Sequence, residues 1–150
     1  MLNSLLQNHV LIAGSIAWIL GQSLKFPLDF LINKRWNWGI ILSSGGLPSS
    51  HSALVTAVAL SIGIQEGFNT SLFALSCALA MIVIYDAAGV RRQAGIHAKR
   101  INEIMRNFIE SGHLEEDDLK EMLGHTPFEV VSGVILGLLV SWFVFGVLYP

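Results

Sequence analysis

FNTSLFALSCALAMIVIYDAAGVRR, residues 68–92, is an apolar run with a single acid, Asp86, closed by Arg91 and Arg92. The hydrocarbon core of a bilayer needs about 20 apolar residues in helical form, and this run supplies them without a proline. Reading outward from it marks four apolar stretches in chain order: Leu5 to Leu24, Ser52 to Ile64, Phe68 to Val90, and Val130 to Tyr149. The second is too short to cross uninterrupted. The turn at 45–50 that precedes it is therefore expected to dip into the membrane plane, where protein or a polar cavity must satisfy its backbone. The expected fold class is an all-α integral membrane bundle of about four spanning helices, one domain over residues 1–150, with a cytoplasmic helical insert over about 91–126.

Composition agrees: 53% of residues are hydrophobic, 13% are charged and the mean hydropathy is +0.59, whereas soluble domains carry about a quarter charged residues. All nine basic residues, Lys25, Lys34, Arg35, Arg91, Arg92, Lys99, Arg100, Arg106 and Lys120, fall in the 25–51 and 91–126 loops or at their borders. The opposite side holds only the termini and the turn at Glu66. By the positive-inside rule both loops are expected in the cytoplasm and both termini outside, most simply in the plasma membrane. The first stretch has no basic residue before it and no small-residue cleavage site after it, so it is expected to be a retained span. Cys77 alone offers neither a disulfide nor a metal framework. The net charge of −2 gives no reason to propose nucleic acid as a partner.

Within the insert, Ala98, Ile101, Met105 and Phe108 recur at helical spacing with Ile104 and Ile109 beside them, while Lys99, Arg100, Glu103 and Arg106 take the other face. This pattern predicts an amphipathic helix, lying on the membrane or folded back over the loops, and ending at Gly112. A short second helix is expected over about Asp117 to Leu123, with acids at its positive start and Gly124 at its end.

Four elements could carry chemistry. Gly45-Gly46-Leu47-Pro48-Ser49-Ser50-His51-Ser52 leads into the second stretch. Unpaired N–H groups and serine hydroxyls at a helix start suit an anion; Ser49 or Ser50 equally suits an N-cap, and His51 an interfacial side chain. His125-Thr126-Pro127-Phe128-Glu129 opens the last stretch. Thr126, Pro127 and Glu129 form a capping box with proline at the first helical position. Glu129, one turn beyond His125, could also hold the imidazole tautomer and leave the other nitrogen nucleophilic. Asp86 lies inside an apolar run with Gly89 and Val90 at its helical neighbour positions, so its partner comes from elsewhere: Arg91 or Arg92 after a bend at Gly89, Lys25, a histidine or a bound divalent metal. Lys25, closing the first stretch, either snorkels to headgroups or joins an anion site. Trp36 and Trp38 read as interfacial aromatics. His9, His97 and His113 receive no catalytic role.

GGLPSSHSA, DAAGVRRQAG and GHTPFEVVSG, in that order, resemble the signatures of the divergent branch of the type 2 phosphatidic acid phosphatase superfamily, membrane relatives of acid phosphatases and vanadium haloperoxidases. The resemblance runs from Lys25 through the last span. It implies Lys25 as a phosphate-binding lysine, His51 as general acid, with Ser50 where the parent pattern has glycine, and His125 with Glu129 as nucleophile and acid. The parent Ser-Arg pair before the nucleophile is absent, Asp118 and Leu119 standing there. Arg91 and Arg92 are the candidates to replace its charge. No cofactor is implied, but Asp86 has no counterpart in the parent pattern and keeps a divalent metal under consideration.

The expectation is a membrane phosphatase acting on a lipid-linked phosphate monoester or diphosphate. His125 attacks phosphorus, His51 protonates the leaving oxygen, and Lys25, Ser49, Ser50, Arg91 and Arg92 hold the phosphoryl oxygens. The partners expected are an amphiphilic phosphate and the bilayer, with a homo-oligomer left open. The alternatives are a non-catalytic subunit that binds or transports anionic headgroups, and an interaction protein docking through the insert.

Overall fold

The computed structural model describes residues 6–34, 39, 45–110 and 125–149. Five helices follow one another: α1 (His9–Asn33), α2 (Ser50–Glu66), α3 (Ser71–Ala88), α4 (Val90–Glu110) and α5 (Pro127–Phe143), the last continued by a π-helical turn over Val144–Leu148. No strand occurs among the described residues. The expected second insert helix lies outside them.

Side-chain caps start most of these helices. Asn8, Ser49, Thr70 and Thr126 each accept an N–H from the first turn of α1, α2, α3 and α5, satisfying donors a helix cannot pair internally. Gly67, at φ +103°, ends α2 in backbone space that favours glycine. Gly89 caps α3, and α4 begins at the next residue, so the two helices are separate elements divided at Gly89.

Among the described residues three helices are long and apolar enough to cross a membrane: His9–Asn33, Ser71–Ala88 and Pro127–Leu148. α2, with 17 residues, would reach about 25 Å, short of the roughly 30 Å hydrocarbon thickness. The span count of four is therefore approximate. α2 runs through the middle of the bundle, packed by α1, α5 and α3. α1 also outruns its sequence estimate, continuing past Lys25 and through Pro27 to Asn33. The apolar run resumes there with Phe26, Leu28, Phe30, Leu31 and Ile32, and surrounding protein can compensate the hydrogen bond that Pro27 removes.

The core is built from small side chains. Ala13, Ala17, Ala53 and Ala57 are buried with Val140 and Val144, while Leu75, Ile82 and many other large apolar residues stand exposed, Ile82 at 67%. Such an inside-out distribution suits lipid as solvent: tails accept large apolar groups, and small residues let helices approach. The closest approaches lie along α2. A Cβ on Gly137 would strike the Ala53 carbonyl and, at 2.9 Å, Thr56, while one on Gly21 would lie 2.9 Å from the Ser50 Cα. Further along, the Ser61 and Ser141 hydroxyls pair at 2.9 Å across the same interface.

Candidate phosphate site at two adjoining helix starts

The start of α5 is closed by its capping box. Thr126 Oγ1 accepts the Glu129 N–H at 3.3 Å, and the Thr126 N–H donates to Glu129 Oε2 at 3.1 Å. Glu129 Oε2 also lies 2.9 Å from His125 Nδ1. His125 precedes the helix, so the pair does not meet as helical neighbours: the glutamate folds back over the cap and reaches both. The structural and chemical readings of Glu129 are thus one arrangement, in which a single oxygen meets both groups.

His125 is 1% exposed, and its Nε2 has no hydrogen-bond partner among the described residues. A carboxylate at Nδ1 favours the tautomer with its proton there, leaving the Nε2 lone pair free. A buried imidazole nitrogen without a partner forfeits hydration, a cost that calls for an explanation.

The start of α2 adjoins this point. The Ser49 N–H donates to the Glu129 carbonyl at 2.9 Å, so the glycine-rich turn is tied to the first turn of α5. Gly133, one turn along α5, allows this approach, because a Cβ there would strike the Ser49 carbonyl. Ser49 Oγ meanwhile accepts from Ser52 N at 3.4 Å and from Ser52 Oγ at 3.0 Å. Ser50 is fully buried and its hydroxyl is unpartnered. His51 follows on the first turn of α2, half-buried. Two helix starts with their partial positive charge therefore stand side by side.

Lys25 joins them from α1. Gly21 packs on Ser50, and Lys25 lies one helical turn further, on the same face. It is 1% exposed and within electrostatic reach of the Glu129 carboxylate. A snorkelling lysine would present its head to water, so burial assigns Lys25 to the bundle interior.

The remaining candidates are only partly defined. Asp86 is half-buried near the end of α3 and has an interaction partner. The backbones of Arg91 and Arg92 form the first turn of α4, but their side chains lie outside the described residues, as do Arg35, Trp36, Trp38, His113 and Lys120. Among the described residues no three His, Cys, Asp or Glu side chains group as a metal site. The sequence reading makes no use of Gly21, Gly133 or Gly137. The four-residue spacing of Gly133, Gly137 and Ser141 was the available signal for close helix approach.

The chain belongs to the divergent PAP2 family, which it matches over residues 6–140. A relative in Bacillus subtilis (strain 168), described as the uncharacterized membrane protein YuiD, is 38% identical over 148 residues, covering 91% of this chain and 94% of its own length. No solved structure matches.

Proposed function

We propose that this protein is a membrane phosphatase that hydrolyses lipid-linked phosphate monoesters or diphosphates through a histidine nucleophile. The observation that carries the reading is the buried Nε2 of His125, unpartnered while Glu129 engages the opposite nitrogen. In the proposed reaction Nε2 attacks phosphorus as the bond to the leaving oxygen breaks, and His51 gives that oxygen its proton. Water then attacks the phosphohistidine, His51 recovers a proton from it, and inorganic phosphate departs. Lys25, the Ser49–Ser50 helix start, Arg91 and Arg92 would hold the phosphoryl oxygens. Asp86 is proposed as a charge partner at the same boundary, or as a ligand should a divalent metal be required.

Family membership supports this class of chemistry, and the clustering of basic residues supports an active site on the cytoplasmic side of the plasma membrane. The test is phosphate release by the purified protein in nanodiscs from amphiphilic phosphate monoesters and diphosphates, with and without chelator. Wild-type protein should release phosphate and His125→Ala should not. Saturable headgroup binding with no release across the panel would instead identify a non-catalytic lipid-binding subunit.

A further inference from the structure

α4 divides its surface into three arcs rather than two. Gly95 and Asn102 are buried, Asn102 at 3%, and Ala98 and Met105 are half-buried, whereas Ile101 and Ile104 remain 45% and 57% exposed. At about 100° per residue, Gly95, Ala98 and Met105 fall within about 60° of Asn102. Ile101 and Ile104 project about 100° and 160° to one side of that direction, while Lys99, Arg106, Glu103 and Arg100 fan out on the other. Asn102 is buried and has a polar partner, so rolling the isoleucines inward would expose them to the protein only by breaking that contact. The rotation of the helix is thereby set, with one buried arc, one apolar and exposed, and one charged.

The occupant of the apolar arc follows from continuity. α4 begins one residue after the cap of α3, a helix fit to span the membrane whose Met81, Ile82 and Tyr85 side chains are exposed. The chain therefore leaves a helix fit to span the membrane and enters α4 with only Gly89 between them, which places the start of α4 at the end of a span. On the charged arc three cations, Lys99, Arg100 and Arg106, stand against one acid, Glu103, all exposed. A hollow of about 280 Å³ lined by Gly95, Ile96, Lys99, Arg100 and Glu103 lies among them.

We propose that α4 is an interfacial helix that binds an anionic lipid surface, with Ile101 and Ile104 at the acyl boundary and Lys99, Arg100 and Arg106 among the headgroups. This is independent of the phosphatase reading. Nitroxide labels placed singly by Ile101→Cys, Ile104→Cys and Glu103→Cys in a Cys77→Ala background report the environment in vesicles. An Ile82→Cys label supplies a lipid-facing reference. Labels at 101 and 104 should meet dissolved oxygen several-fold more than a water-soluble nickel chelate, as at 82, with the preference reversed at 103. Adding phosphatidylglycerol to phosphatidylcholine should deepen the label at 104, and Lys99→Gln with Arg100→Gln and Arg106→Gln should remove that increment. Nickel access at 101 and 104 equal to that at 103 would overturn the proposal. So would labels closed to both reagents, which would mean a protein cover, or depths indifferent to phosphatidylglycerol.

Discussion

Glu129 Oε2 meets the Thr126 N–H and His125 Nδ1 together, which makes the two roles separable by substitution. Glu129→Gln retains a side-chain oxygen for the Thr126 N–H but loses the charge that would stabilise an imidazolium. In the proposed reaction, phosphate release should fall by roughly 10²- to 10⁴-fold while thermal stability changes little. Glu129→Ala should match that loss and also lower stability by about 1 kcal/mol, the scale of a lost cap. An active, stable Glu129→Gln protein would leave only the cap. His51→Ala should slow phosphohistidine formation most for substrates with poor leaving groups, because protonation matters less as the leaving oxygen becomes less basic. Rates of intermediate formation across a leaving-group series check this; a uniform reduction would argue against His51 as the acid. At this scale the spacing of His125 and Glu129 was legible in the chain. The burial of Lys25 was not: a lysine after an apolar run reads equally well as a snorkelling anchor, and only the packing of α5 against α1 brings a carboxylate within reach.

Between elements, the glycine contacts of α2 differ in kind. A Cβ on Gly137 meets the Ala53 carbonyl and the Ala57 backbone nitrogen, whereas one on Gly14 meets the side-chain tips of Val58 and Leu54. Backbone cannot step aside as a side-chain tip can. Gly137→Ala should therefore cost about 1–3 kcal/mol, and Gly14→Ala distinctly less, as read by thermal melting in detergent. Gly133→Ala should add loss of phosphate release, since the atom it strikes belongs to Ser49, which bonds Glu129. For the Ser61–Ser141 pair, a double-mutant cycle with Ser61→Ala and Ser141→Ala should return about 0.6 kcal/mol of coupling, and under about 2. The three long spans, the Ser49 cap and the Thr126 capping box were readable because local spacing and capping chemistry specify them. The full length of α1 was hidden by Lys25 and Pro27, which both look like terminators until the bundle around them is known.

For the whole molecule, Lys25 and the starts of α2 and α5 meet at one end of the bundle, and Glu66, at the far end of α2, marks the other. With the 25–51 and 91–126 loops proposed in the cytoplasm, an impermeant thiol reagent applied to intact cells should label Glu66→Cys and spare Lys99→Cys in a Cys77→Ala background. Labelling of position 99 from outside would reverse the orientation. The sequence by itself determined a helical membrane bundle, three of its spans, the capping box of α5 and the pairing of His125 with Glu129, because each depends on hydropathy or on spacing within a few residues. Only the tertiary structure decided that α2 runs through the centre, that Lys25 is buried and that Ser49 is bonded to Glu129. Those features join residues far apart in the chain, Gly21 with Ser50 and Ser49 with Glu129; they depend on how closely helices can approach, and Gly21, Gly133 and Gly137 allow that approach only at backbones the chain itself does not name.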